Sequence, residues 1–132
     1  MSKERDYQGL LITNNKKFFR IGSKLQGKYI DKSQIVYIEA FESYSWIYLK
    51  DGSEILSSKN IGTLEESFKD ISFIRIHRSY LINPNYVQLY EPHYRLVHLT
   101  GEIVLPISHR KNRIILKMVG NTESNTPFRI AM

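Results

Sequence analysis

The chain of 132 residues contains no cysteine, which removes disulfides, thiolate nucleophiles and cysteine-ligated metals together. That absence fits a cytoplasmic protein. The N-terminal Met1-Ser2-Lys3-Glu4-Arg5-Asp6 is charged, with no apolar stretch behind it, and does not read as a signal peptide. No apolar run approaches the ~18 residues of a membrane span, so no membrane partner is expected. Glycine-rich phosphate loops of the Gly-x-Gly-x-x-Gly or Gly-x-x-x-x-Gly-Lys kind are missing. The 4 histidines, His77, His93, His98 and His109, show no His-x-x-x-His spacing, so neither metal nor other cofactor is expected. Ser108-His109 and His77-Arg78-Ser79 are neighbours in sequence, which says little about triad geometry. Glu65 and Glu66 fall in a helical first turn, where carboxylates favour the dipole. The chain does not read as an enzyme.

What is present is positive charge on a foldable scaffold. Lys and Arg number 19 against 13 Asp and Glu, a net +6 that favours polyanions. With 42% hydrophobic residues, the length suits one domain with its own core. Lys16 to Lys32 carries Lys16, Lys17, Arg20, Lys24, Lys28 and Lys32 and reads as a solvated face over two short strands, the second from Lys28. Ile35 to Phe41 is the strongest strand, dense enough in apolar residues to sit mid-sheet. Glu42-Ser43-Tyr44-Ser45 breaks it. Trp46–Leu49 and Glu54–Ser57 then flank Asp51-Gly52, which predicts a type I′ hairpin turn with φ > 0 at both residues.

Thr63-Leu64-Glu65-Glu66 has capping-box spacing and predicts a helix over 63–70 with Thr63 as N-cap. Phe73 to Ile82 reads as strand, interrupted by Arg75, His77, Arg78 and Ser79 and stopped by Asn83-Pro84-Asn85. Those charges must face water or an anion, since unpaired buried charge is expensive. Tyr86–Tyr90 and Tyr94–Leu99 form a further antiparallel pair, and Thr100-Gly101-Glu102 turns into Ile103–Leu105. Ser108 caps a last helix with Ile114, Ile115, Met118 and Val119 on its apolar face and Arg110, Lys111, Arg113 and Lys117 beside them. The whole is a mainly β, antiparallel domain with two short helices. An arm with short strands (1–27) precedes the domain proper (28–119), and a tail (120–132) follows.

Cationic and amide side chains gather where this scaffold breaks: Tyr44-Ser45, Lys59-Asn60, Arg75 to Arg78, and Ser108 to Arg113. Such positions present function on a rigid frame. Phe73-Ile-Arg-Ile-His-Arg-Ser-Tyr-Leu-Ile-Asn83 resembles the signature of LytTR-type DNA-binding domains, the output domains of bacterial response regulators. Ile35-Val-Tyr-Ile-Glu-Ala40 resembles the opening strand of that family, and Lys50-Asp-Gly52 its first hairpin. Lys59-Asn-Ile-Gly-Thr-Leu-Glu-Glu66 resembles the approach to its short helix, and Leu105-Pro-Ile-Ser-His-Arg110 its closing motif.

The resemblance implies an elongated, mainly β fold whose loops, rather than a recognition helix, enter double-stranded DNA. Carried onto this chain, it implies base contacts from Tyr44, Ser45, Arg78, His109 and Arg110. It implies phosphate contacts from Lys59, Asn60, Ser79, Lys111 and Arg113. Position 109 is His where the family often has Arg, so a guanine contact there is weakened, becomes pH-sensitive or passes to Arg110. Nothing N-terminal carries the acidic cluster of a receiver domain. The expectation is a stand-alone regulator or a fragment of a longer one, with Met1 favouring the former. The function expected is transcription regulation by sequence-specific binding, with a weak homodimer on repeated half-sites. The alternative is a protein-interaction module that kept the fold without base readout, its partner meeting exposed strand edges and Tyr44, Trp46 and Tyr48.

Overall fold

The computed structural model describes residues 17–22, 27–121 and 129–131. The strand expected near Leu10–Ile12 lies outside them, as do Lys16 and Lys24. Strands β1 (Phe18–Ile21) and β2 (Lys28–Asp31) pair antiparallel. Then come β3 (Ile35–Phe41), β4 (Tyr44–Leu49), β5 (Glu54–Ser57), helix α1 (Ile61–Ser67), β6 (Ile74–His77) and β7 (Tyr80–Ile82). Their five strands form one antiparallel sheet in the order β5-β4-β3-β7-β6. After them, β8 (Val87–Glu91), β9 (Leu96–Leu99) and β10 (Ile103–Pro106) form a second sheet, followed by α2 (His109–Asn121). The last strand, β11 (Arg129–Ile130), adds to the β8 edge in parallel, a departure from the antiparallel rule.

The central strand β3 is covered on both faces, and a register shift between Ile35 and Tyr37 explains how. A bulge inserts one residue, so the strict alternation of side chains is broken locally. Ile35 and Ile38 join one core with Phe19, Ile30, Ile47, Leu64 and Phe68. Val36 and Tyr37 join a second core with Ile76, Tyr90, Val97, Leu99, Ile115 and Val119. The first core lies under the β1–β2 hairpin and α1, the second between the two sheets and α2. Phe68 is fully buried, with Phe19 and Phe73 edge-on to it at 5.0 and 5.1 Å. Phe19 and Ile21, assigned to the arm, are therefore core residues.

Three local expectations are corrected. Helix α1 starts at Ile61, because Asn60 is the N-cap and its side chain accepts from Thr63 N at 2.8 Å. This earlier start puts Ile61 beside Leu64 and Phe68 in the core, where a cap at Thr63 would have left it out. The β4–β5 connection is a three-residue loop rather than type I′. Leu49 N donates to Ser53 O, only Gly52 takes positive φ (90°), and Asp51 accepts from Ser53 N and Oγ. Lys32 is not on a solvated face. It is 5% exposed, with its ammonium 5.1 Å from the Phe68 ring centroid and donating to Ser67 O, and burial pushes its pKa down.

Candidate nucleic-acid interface

Strand direction brings the interrupted places together. In the antiparallel five-stranded sheet the β3–β4 turn, the exit of β5 and the β6–β7 turn all emerge at one end. Tyr44, Lys59, Asn60, Arg78 and Ser79 therefore share an edge although up to 35 positions separate them in sequence. The N-terminus of α2 is tied to the same edge, since Ser108 N donates to Ile76 O at 2.9 Å. Ser108 Oγ accepts from Lys111 N at 3.2 Å, the N-cap bond expected of it.

The β6–β7 turn is held by its neighbours rather than by its own chain alone. Arg75 donates from Nε to His77 O at 2.8 Å and from Nη2 to Arg78 O at 2.6 Å. Its third donor, Nη1, meets Glu65 Oε1 of α1 at 2.7 Å. A planar guanidinium suits three fixed acceptors in a way an ammonium cannot. His77 Nδ1 accepts from Ser79 N at 3.0 Å, so the imidazole closes the turn. Ser79 O in turn accepts from Ala40 N of β3 at 2.9 Å. Arg75 is thereby spent on structure, and Glu65 answers it rather than serving only the helix dipole.

What this clamp presents is Arg78, exposed at the tip of the turn. Arg78, Ser108, Arg110 and Lys111 line one open cleft of about 560 Å³, walled behind by Arg75 and Glu65. The side chains of Arg78, Arg110 and Lys111 have no hydrogen bond or ion pair among the described residues. Arg110, Arg113 and Lys117 border a second groove along α2. Their i, i+3, i+7 spacing puts all three on one helix face. His109 is exposed as the first residue of α2 and does not line the cleft.

The remaining candidates divide. Ser45 is corrected: it is fully buried, and its hydroxyl donates to Lys59 O at 2.8 Å, so it positions the β5 exit and cannot face a base. Alternation along β4 carried that signal, since Ser45 and Ile47 share the inward parity. Tyr44 stays 45% exposed beside the β3–β4 turn, next to the exposed acid Glu42, which has φ 55°. Lys59 is exposed, its ammonium 5.4 Å from the Phe19 ring centroid. Asn60 spends its side-chain oxygen on the helix cap, leaving the amide NH₂ to donate.

Glu39, a potential partner for Arg78, instead accepts from Tyr48 OH at 3.0 Å. Tyr48 stacks on Tyr37 with ring centroids 4.4 Å apart. Burial, with Glu39 nearby, pushes Tyr37 up to about 12, and burial with the Glu39 bond raises Tyr48 too. This neutral tyrosine layer braces β3 against β4 and leaves Arg78 to solvent. Among the described residues no cluster of His, Asp and Glu could hold a metal, and no helix is long and apolar enough to cross a membrane.

The family model for the LytTr DNA-binding domain matches residues 27–120. The fold is also that of a solved LytTr DNA-binding domain from Bacillus cereus, of a protein described as a methyl-accepting/DNA response regulator. The two superpose with a TM-score of 0.67 at 20% identity, over 79% of this chain and 97% of that one. No curated protein matches the sequence.

Proposed function

The chain belongs to the LytTr DNA-binding domain family, and from that premise we propose a transcription regulator that reads double-stranded DNA with loops placed in successive grooves. The observation that carries this reading is the cleft where Arg78 faces Arg110 and Lys111 across the capped start of α2. Clustered guanidinium and ammonium groups without protein partners suit phosphates and guanine edges. Arg78 and Arg110 read bases, with His109 beside them and Tyr44 at the far side of the edge. Lys59, Asn60, Ser79, Lys111 and Arg113 take phosphates and set the register. One small module reads few base pairs, so two half-sites and a weak homodimer on DNA complete the proposal.

The test is selection from a random duplex library at low and moderate salt, with Arg78→Ala beside the wild type. A motif should emerge, and Arg78→Ala should lose roughly 1–3 kcal/mol on it while keeping its weaker grip on random duplex. Binding should fall steeply with salt, since each neutralised phosphate adds about −0.9 to the slope of log K against log salt. Equal losses on motif and random DNA would remove Arg78 from base readout. Salt-insensitive retention of a protein partner, with no motif, would favour the interaction module instead.

A further inference from the structure

The second sheet supplies none of the proposed DNA contacts, yet its β8–β9 turn ends at the same edge. The turn is fastened to α2: Asn112 Nδ2 donates to Pro92 O at 3.1 Å, and Asn112 Oδ1 accepts from Tyr90 OH at 2.6 Å. Arg95 N donates to Pro92 O at 3.2 Å, and Arg95 O accepts from Ile107 N at 2.8 Å. Ile107 immediately precedes Ser108, whose N is bonded to Ile76 O beside the Arg78 turn. The Arg95 backbone is thus tied to the entrance of the cationic cleft, through the 107–108 segment that also holds Ile76.

Arg95 is exposed, and its φ of 53° lies in the left-handed region. That conformation strains a side-chain-bearing residue, and glycine avoids the strain. Its guanidinium has no partner among the described residues, and the acid of this turn, Glu91, is engaged by His98. Tyr94 beside it is 68% exposed, the most exposed large apolar side chain among the described residues, with His93 edge-on at 4.9 Å. A rigidly held turn that offers a free cation and a phenol, in a strained backbone, beside an anion cleft, has the makings of a contact.

Resting on the DNA-binding reading above, we infer that the β8–β9 turn is a fifth DNA-contacting element, with Arg95 on a backbone phosphate flanking the stretch read by Arg110. Tyr94 lies against the adjoining sugar-phosphate backbone. The contact adds affinity and register but no base preference. It makes the interface run from one sheet to the other across the start of α2.

Titrations of wild type, Arg95→Gly, Arg95→Lys and Arg78→Ala against a selected and a random duplex, at several salt concentrations, test it. Glycine suits the left-handed turn, so Arg95→Gly should melt no lower than wild type. It should bind both duplexes roughly 5-fold more weakly near physiological salt, with a salt slope shallower by about 1. Arg95→Lys should recover most of that loss. Wild-type affinity and slope in Arg95→Gly would overturn the inference while leaving the reading intact. A loss confined to the selected duplex would overturn the phosphate assignment. Failure of the wild type to bind any duplex would overturn both.

Discussion

The two ends of the paired sheets are made from the same short turns and hold opposite chemistry. At one end the β4–β5 and β9–β10 turns meet across a shallow groove lined by Lys50, Gly52, Ser53 and Gly101. There Lys50 and Lys28 stand with Asp51, Glu54 and Glu102, and Asp51 is satisfied by Ser53. At the other end Lys59, Arg78, Arg95, Arg110, Lys111 and Arg113 gather, with Glu65 consumed by Arg75 and Glu42 the exposed acid. Glycines take the positive φ at Gly52 and Gly101 in the first end, whereas Glu42 and Arg95 do so at the second. At the acidic end Glu102, with φ 62°, and Ser72 before β6, with φ 66°, do so too, so positive φ by itself does not separate the ends. The scaffold's geometry is indifferent to which end is used; charge marks the one proposed to meet a polyanion.

The largest blow to this contrast should come from Arg75→Ala, although Arg75 is proposed to touch no DNA. Three acceptors lose their shared donor, so the fold should weaken by roughly 1.5–3 kcal/mol in urea melts. With the turn released, affinity for the selected duplex should fall at least as far as in Arg78→Ala, because the reading side chain loses its fixed aim. Arg75→Lys should not restore it, since one ammonium cannot serve acceptors on a strand end, a turn and a helix. Recovery by Lys would show that charge alone matters at this position. An intermediate effect is expected from Glu42→Gly, which removes the acid of the basic end and relaxes its backbone. Affinity should rise a few-fold, or up to about 1 kcal/mol, on any duplex, and thermal stability should rise with it. Weaker binding would mean that the carboxylate makes a contact of its own.

Much of this contrast was visible in the chain itself. The apolar density of Ile35–Phe41, the Asp51-Gly52 and Thr100-Gly101-Glu102 turns, and the periodicity of α2 are local signals, and local signals survive folding. Arg78 and Arg110 stand out in the sequence because they interrupt or open such elements. The pairing of Arg75 with Glu65 was not legible, because it joins a strand to a helix across a turn and leaves no pattern in either. Pattern said that Arg75 needed a partner, not which. Ser45 was misplaced for a different reason: the break after Phe41 is two residues long, so β4 begins at Tyr44 and turns Ser45 inward. Lys32 deceived through its company, a basic run in which one member folds under α1. Arg95 went unnoticed because a lone arginine in a turn has no periodicity to depart from.

The smallest expected effect separates charge from strain. Glu102→Gly makes the same change as Glu42→Gly, in the same left-handed conformation (φ 62° against 55°), at the opposite end. Both should gain about 0.5–1 kcal/mol from relief of the backbone, read as a higher melting temperature. Their effects on DNA should part. β4 alone runs from Tyr44 to Leu49 between the two ends, about 17 Å at the rise of a strand, beyond the Debye length of about 8 Å at physiological salt. Removing Glu102 should therefore leave affinity within the error of the titration, while removing Glu42 raises it. If both variants tighten binding equally, net charge rather than its placement governs association, and the contrast between the ends loses its functional meaning. If only Glu42→Gly does so, and the gap closes as salt is raised, the basic end acts as a local surface whose exposed acid Glu42 holds its grip in check.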